Sequence, residues 1–491
     1  MPQLLTLSRA ARLIGIRRGA LQSKIRSGEL AAFEGMVSAR DLLRAYPGVK
    51  LEDNAILERM DRIKDAAFAR RVRERLLPSS EVLVARLTEM SRERAQIQAR
   101  LEYYRGIVEQ LQSKAREFGE AASPQAAAEL LAWLKHGLEP GPQGDEPQPL
   151  LVHDSFLRIM TAHVQIKPSG HEFFVDGNDS LLEAALRAGL SLDYGCSIGS
   201  CGKCKARVLS GQVQRTRHSD YALTAAENNA GVVLMCCNTA VADLEIEARE
   251  AHGAGDMPLQ SIEARVKSVS PVAGDIRLLH LQTPRGNRLR FLAGQSVSLA
   301  LADGPAASYP VASCPCDDRN LQFHIRRRAG DSFAERVFDG LKSADTVRVE
   351  GPRGKFVLNE ESDRPLVFIA CETGFAPVKS LLEHAMALDV AETLDLCWIA
   401  SGKDGHYLDN LCRSWSDALD NFRYLALTAD GALSDEAVMQ DALRQVLQEH
   451  PRLGDCDVYV AGPGALASAA EYLLLERGLP REQLFVETAA F

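Results

Sequence analysis

Cys196-Ser-Ile-Gly-Ser-Cys201-Gly-Lys-Cys204 sets three cysteines in the spacing C-x4-C-x2-C. A binuclear iron–sulfur cluster needs four thiolates converging on two irons, and this spacing delivers three of them from one loop. Gly195, Gly199 and Gly202 flank the cysteines and let the backbone bend so that its N–H groups face the cluster sulfurs. A fourth thiolate is on offer from the pair Cys236-Cys237 in Gly231-Val-Val-Leu-Met-Cys-Cys-Asn. A zinc site would need Cys201-x-x-Cys204 and two further cysteines, but it gives no reason for Cys196 at this spacing.

Outward from this loop, the bulk of the chain is ordinary soluble protein. Its 491 residues exceed one core and suggest several domains; 46% are hydrophobic and 25% charged. The net charge of −9 excludes a surface that is basic throughout, as a general nucleic-acid or membrane footprint requires. Five of the eleven cysteines crowd between Cys196 and Cys237, a metal-binding distribution rather than a disulfide framework. No apolar run is long enough to span a bilayer, and the arginine-bearing N-terminus lacks the apolar core of a secretory signal. A reducing cytoplasm is the expected location.

Six segments separate by pattern. Residues 1–46 are basic and helix-rich, and 51–119 are charged and helical. A short helix and a Pro/Gly-rich linker occupy 125–150, where Leu138-Glu-Pro-Gly-Pro-Gln-Gly-Asp-Glu-Pro-Gln-Pro149 suits neither helix nor strand. Residues 159–250 carry the cysteine loop, 259–360 read as short antiparallel strands, and 363–491 alternate strand and helix as a parallel α/β sheet does. The expected fold is therefore multidomain: all-α at the front, then an α+β domain, an antiparallel β-barrel and an α/β domain. In the second segment Leu83, Leu87, Met90, Arg94, Ile97, Leu101, Tyr104, Val108, Leu111 and Ala115 follow 4–3 spacing. That spacing keeps one seam facing a partner helix and predicts a coiled-coil homodimer, with packing on its own chain as the alternative.

Residues 161–249 resemble a plant-type ferredoxin domain of the kind fused to bacterial oxygenase reductases. The strand pair Ala162–Ile166 and His171–Asp176, the helix Ser180–Gly189, and Lys205-Ala-Arg-Val-Leu-Ser-Gly carry the likeness. In that family the fourth ligand stands seven residues before an Asp-Leu pair, so Asp243-Leu244 implies Cys236 rather than Cys237. Residues 259–491 resemble the ferredoxin–NADP⁺ reductase superfamily, and the domain order resembles that of benzoate dioxygenase and hexulose-dehydrase reductases. The resemblance implies FAD on the barrel, with the ring of Tyr309 against the flavin, Arg326 on its phosphates, and His324 and Ser332 close by. It implies NADH or NADPH at Thr373, Gly374 and Pro377 of Cys371-Glu-Thr-Gly-Phe-Ala-Pro and at Gly462 and Pro463 of Ala-Gly-Pro-Gly464.

The same segments depart from the family pattern. Ala307 and Pro310 replace the Arg and the hydroxyl residue that flank the flavin tyrosine, and Ala334 replaces a phosphate-capping hydroxyl. Cys371 and Glu372 stand where two glycines let a pyrophosphate approach, and Ala461 replaces a cysteine beside the nicotinamide. Ser401 and Lys403 follow a strand end that could meet a 2′-phosphate.

Leu5 to Leu30, with Gly15 at a turn and Arg17–Arg26 as the second helix, resembles an excisionase/MerR-like helix-turn-helix. Residues 1–45 hold eight Lys or Arg against three Asp or Glu, which suits DNA phosphates or a basic assembly surface. The primary expectation is electron transfer from NAD(P)H through flavin and cluster to a partner oxygenase or dehydratase. The alternatives are a redox-sensing DNA-binding dimer and a degenerate reductase kept as a scaffold.

Overall fold

The computed structural model describes residues 80–121 and 161–488, apart from 177–178, 252, 302–303, 305, 329, 361, 363, 389, 403–404 and 451. Within residues 1–46 it describes only 4–6, 10, 14, 21, 24, 32–33, 36–38, 42 and 44–46. The expected helix 125–136, the Pro/Gly linker, residues 51–79 and Lys403 lie outside the described residues, as does most of the helix-turn-helix resemblance.

Three short strands, β1 (Leu4–Thr6), β2 (Ala32–Phe33) and β3 (Met36–Ser38), form a sheet in the order β1-β3-β2. The sequence reading did not anticipate strands there. Ala10, Leu21, Val37 and Leu42 are fully buried.

Helix α1 runs unbroken over Ser80–Ala121. Its start is committed to its own chain. Val82 is buried, and the fully buried Arg86 donates through Nη2 to the carbonyls of Ala240 at 3.1 Å and Val175 at 3.3 Å. Glu89, Met90 and Glu93 face Thr161, Ala162 and Val241–Asp243 across a small gap. The docked face lies beside the expected seam and shares only Met90 with it; Leu87 of the seam stays 47% exposed. Further along, Ile97, Leu101, Tyr104 and Val108 stay 47–67% exposed.

The cysteine-bearing domain is a mixed sheet of β4 (Thr161–Lys167), β5 (Glu172–Asp176), β6 (Lys205–Ser210), β8 (Val232–Leu234) and β10 (Leu244–Glu247), with β7 (Val213–Arg215) and β9 (Asn238–Ala240) as a side ribbon. The order is β5-β4-β10-β6-β8, parallel only at β4–β10. Strict alternation along β4 sends Ala162, Val164 and Ile166 inward. Helix α2 (Leu181–Arg187), capped by Ser180 Oγ on the Glu183 N–H, covers that core with Leu181, Leu182 and Ala185. A short α3 (Ala225–Asn229) begins in a capping box between Thr224 and Glu227.

The next domain is an antiparallel near-barrel of β11 (Gln260–Ala273), β12 (Ile276–Gln282), β13 (Ser296–Ala300), β14 (Ala307–Pro310), β15 (Asn320–Arg326) and β16 (Thr346–Arg353), ordered β14-β13-β16-β11-β12-β15. Helix α4 (Ser332–Asp339) closes one end with Phe333, Ala334 and Val337.

The last domain is a fully parallel sheet of β17 (Leu366–Cys371), β18 (Leu394–Ala400), β19 (Phe422–Thr428), β20 (Asp457–Gly462) and β21 (Leu484–Thr488), flanked by α5 (Phe375–Leu388), α6 (Asp409–Ala418), α7 (Glu436–Glu449) and α8 (Gly464–Glu476). The order β19-β18-β17-β20-β21 reverses direction between β17 and β20. In open α/β sheets, the crevice at the carboxyl ends of the strands flanking such a reversal is the ligand site. No helix among the described residues is long and apolar enough to cross a membrane.

Replacing Arg86 by Ala should cost the α1 contact about 1.5–3 kcal/mol, the value of a charge-assisted hydrogen bond. Hydrogen exchange over 80–93 should accelerate while the sheet core at Val164 and Ile166 stays protected. Unchanged exchange would mean that the helix is held by something other than Arg86.

Candidate functional site

The cysteine loop follows β-bridge residue Leu192 and is shaped by its own sulfurs. Cys196 Sγ accepts the N–H groups of Ser200 (3.2 Å) and Cys201 (3.3 Å), and Cys201 Sγ accepts that of Cys196 (3.3 Å). Burial alone would push the Cys196 thiol up, but the hydrogen bonds from the loop outweigh it and lower it to about 6. Cys204 and Cys236 bring their sulfurs to 3.2 Å, and the Cys236 hydrogen bond holds the Cys204 thiol below its ordinary range against burial. Cys236 and Cys237 share a single 3₁₀ turn, Met235–Cys237, with their sulfurs 3.7 Å apart. Cys237 Sγ lies 3.7 Å from the His218 carbonyl and behind Gly199, where a Cβ would come within 2.6 Å of that sulfur. Gly199 has φ +85°, so glycine is required there twice over.

Immediately before the first ligand, Asp193 and Tyr194 fasten the loop to the barrel. Arg290 Nη2 donates to Asp193 at 2.7 Å and its guanidinium lies over the Tyr194 ring. Tyr194 donates its hydroxyl to Asp318 at 2.7 Å, and Arg288 donates to the other Asp318 oxygen at 3.1 Å. Asp318 and Arg288 are buried, and burial pushes Asp318 up to about 6 despite Arg288 and Tyr194. Sequence reasoning missed this clamp because its two sides are about a hundred residues apart.

On the barrel, Tyr309 is buried, its ring against Phe333 at 5.5 Å and its hydroxyl donating to Asp331 at 2.6 Å. Asp331 also caps α4 through the Ala334 N–H at 2.9 Å. A carboxylate thus occupies the helix N-terminus that would otherwise attract phosphate. Ser332 is exposed on the first turn and is not brought into the site. The neighbouring Arg328, also missed from sequence, has a buried Nε without a partner and feels the field of Tyr309, Asp331 and Arg326.

Arg326 does not stand free for a phosphate, contrary to expectation. It reaches Glu372 Oε2 at 2.5 Å and Asp275 at 2.9 Å. Glu372 is 1% exposed, and its other oxygen accepts the N–H and hydroxyl of Ser401 at 2.8 and 2.7 Å. Ser401 therefore meets a carboxylate of its own chain in this state. Glu372 keeps φ +51°, the left-handed conformation natural to the glycine it replaces.

Glu372, Thr373, Gly374 and Pro377 stand at the carboxyl end of β17, and Ala461–Pro463 end β20, so both expected motifs meet at the sheet reversal. A Cβ on Gly374 would lie 2.2 Å from the Ala461 carbonyl, so the loop and the turn touch backbone to backbone. Phe375 stacks on Trp398 at 4.0 Å. His324 accepts or donates through Nδ1 to Tyr407 Oη at 2.7 Å, and its buried Nε2 has no partner. Burial, with Lys379 nearby, lowers it to about 3 and keeps it neutral.

The donor sets fit the groups they would hold. For the cluster, Cys196 and Cys201 share one hydrogen-bonded loop and Cys204 meets Cys236 at 3.2 Å; an aromatic ring and the unsatisfied Arg328 Nε and His324 Nε2 fit a flavin between barrel and α/β domain. At the nucleotide loop the fit requires Arg326 to be shared between Glu372 and phosphate.

Burial raises the Glu372 carboxyl, yet Ser401 and Arg326 pull it below its ordinary value. A depressed carboxylate stabilises the fold above its unfolded value of about 4.3 and loses that contribution as pH falls through its folded value. Thermal melts of wild type should therefore fall more steeply below about pH 4.5 than those of Glu372→Gln. Parallel curves would mean that the ion pair contributes nothing.

Three domain families match in this order: a 2Fe-2S iron-sulfur cluster binding domain over residues 164–242, an oxidoreductase FAD-binding domain over 263–358, and an oxidoreductase NAD-binding domain over 368–471. The reductase component 1 of terephthalate 1,2-dioxygenase from Comamonas sp is 31% identical over 335 residues, covering 67% of this chain and 98% of that protein. The CDP-6-deoxy-L-threo-D-glycero-4-hexulose-3-dehydrase reductase of Yersinia pseudotuberculosis is 29% identical over 326 residues, covering 66% and 98%. The propane 2-monooxygenase reductase component of Rhodococcus jostii is 29% identical, covering 66% and 90%. About a third of this chain lies outside each of these matches. The chain belongs to the family of reductase components in which a [2Fe–2S] ferredoxin domain precedes FAD-binding and NAD-binding oxidoreductase domains.

Proposed function

We propose that the chain takes electrons from NADH or NADPH and delivers them singly to a partner oxygenase or dehydratase. The observation that carries this reading is the clamp of Asp193 and Tyr194 on Arg290 and Asp318, which holds the ligand loop against the flavin-binding domain. FAD, when bound, accepts an electron pair as hydride and releases it one electron at a time, which is the chemistry a one-electron cluster needs.

The chain's own residues do the rest. Cys196, Cys201, Cys204 and Cys236 hold the cluster, and the loop N–H groups on Cys196 stabilise its thiolate. Cys201 is half-buried, so this edge of the loop reaches the surface where an acceptor docks. Tyr309 supplies an aromatic face, with Asp331 fixing its hydroxyl. Arg328 supplies the cation that Ala307 does not. At the nucleotide loop, the backbone of Thr373 and Gly374 faces the crevice, and Glu372 holds Arg326 until a phosphate competes for it.

Ile97, Leu101, Tyr104 and Val108 favour a second element of the reading, dimerisation. They form a single exposed apolar row past the region where α1 rests on its own chain, at the spacing of a helix–helix seam. A second copy of the same helix is the partner that matches it.

Anaerobically purified protein should show flavin and binuclear-cluster absorbance, and both should bleach with NADH or NADPH. Cys196→Ser, Cys201→Ser, Cys204→Ser and Cys236→Ser should each abolish or grossly alter the cluster bands, and Cys237→Ser should leave them nearly intact. Protein that binds no FAD and ignores both nucleotides while carrying its cluster would sink the reductase reading. Glu372→Gly should tighten nucleotide binding by removing a carboxylate from the loop that a pyrophosphate would approach. It should also destabilise the domain, because losing a buried ion-pair partner, about 3–5 kcal/mol, exceeds the relief of left-handed strain, about 1–2 kcal/mol. Light scattering should find a dimer that Leu101→Glu with Val108→Glu converts to monomer without loss of cluster; a monomeric wild type refutes the seam.

A further inference from the structure

Cys314-Pro-Cys316 lies outside every site described above. It forms a single 3₁₀ turn, Pro315–Asp317, on the barrel, facing His384 on α5 of the α/β domain. Both sulfurs stand 3.7 Å from His384 Nδ1, and the three atoms lie within 4.8 Å of one another. On the far side of the ring, His384 Nε2 is 3.2 Å from Glu360 Oε1. A carboxylate only accepts, so Nε2–H donates to it, and in the neutral ring Nδ1 then presents its lone pair to the two thiols. Imidazoles that bind metal are oriented in this way by a carboxylate behind them.

The distances suit a particular ion. With zinc–sulfur bonds of about 2.3 Å and zinc–nitrogen bonds of about 2.0–2.1 Å, the sulfur–nitrogen edge of a tetrahedral site is roughly 3.6 Å. Both edges observed here already have that length. Two thiolates and an imidazole select a borderline-soft cation over magnesium or calcium. His384 is 1% exposed and Cys314 5%, whereas Cys316 is partly exposed and opens the group to water.

We propose that Cys314, Cys316 and His384 bind one thiophilic divalent cation of the zinc class, with Glu360 positioning the imidazole and water completing the coordination beside Cys316. Binding releases the two thiol protons and changes no oxidation state. Two donors come from the barrel and one from the α/β domain, so the ion ties the two together. It joins an existing seam in which buried Lys379 Nζ donates to the Ala312 carbonyl at 3.1 Å and Ser380 Oγ to the Ser313 carbonyl at 2.8 Å. The ferredoxin domain also reaches this place, since a Cβ on Gly189 would lie 3.4 Å from the His384 ring. The site thus sits where all three domains meet, and it is independent of whether flavin and nucleotide turn over.

The test is metal content in the full-length, cluster-loaded protein. After dialysis against ZnCl₂ and desalting, elemental analysis should find about one zinc for every two irons. Anaerobic titration with CoCl₂ should give one equivalent with the sulfur-to-cobalt and ligand-field bands of a tetrahedral thiolate site, read as a difference from the cluster spectrum. Cys314→Ser with Cys316→Ser should lose that equivalent and keep its iron. Glu360→Gln should keep the fold and weaken zinc binding about 10–100-fold, and it decides the matter if the double variant fails to fold. Zinc retained in the double variant, zinc lost only when the cluster cysteines are changed, or unaltered affinity in Glu360→Gln would overturn the proposal. So would a Cys314–Cys316 disulfide in mass spectra of anaerobically prepared protein.

Discussion

The architecture depends on the buried Arg288–Asp318–Tyr194 chain and its companion Arg290–Asp193. A cluster exchanges electrons with a second centre only if the two are held at a fixed approach, and a flexible tether between domains cannot supply that. Here the fastening residues are the two nearest the ligand loop on its N-terminal side, so no lever arm separates the clamp from Cys196. The chain is also cooperative. Removing any one member would strand a buried charge or hydroxyl, which costs far more than the same group costs at a surface. Interfaces of this kind form fully or not at all.

A second theme is the use of carboxylates where the family pattern leaves room for phosphate. Asp331 takes the N-terminus of α4, and Glu372 takes Arg326 and Ser401. Each carboxylate supplies the negative charge that the local donors require, and so stabilises the protein when no ligand is present. A ligand phosphate must then displace an internal anion, so its apparent affinity falls by the fraction of time the site is closed on itself. Replacing glycine by Glu372 thus changes the kind of site, from an open cradle to one held shut by an ion pair.

The sequence was most legible where chemistry fixes spacing along the chain. C-x4-C-x2-C is a local constraint, and Cys196, Cys201 and Cys204 do lie on one loop. The parallel α/β sheet was legible too, because strand and helix alternate from Pro365 onward. Pairings across distance were not legible. Nothing near Arg326 announces Glu372, 46 residues on, and nothing near His384 announces Cys314, 70 residues back. The docking of Val82 and Arg86 beside the 4–3 row was illegible for a related reason: Arg86 finds its carbonyl partners 89 and 154 residues further along the chain.

Helix α1 therefore docks one face at its start and keeps a neighbouring apolar row exposed further along. At 1.5 Å per residue, the stretch from Glu93 to Ala121 extends roughly 40 Å past the ferredoxin contact. A helix of that length in water is marginal unless its apolar row is covered, because propensity alone rarely sustains it. The docked turns around Arg86 supply the costly nucleus, and the rest propagates from them. In the proposed dimer the row from Ile97 to Val108 would need only a modest partner surface, since the nucleus is already formed on each copy. A helix docked at its base would also fix the direction in which a dimer holds its two reductase units. The basic residues of 1–46 precede that helix in sequence, so the same pairing would bring two copies of the N-terminal module into one assembly.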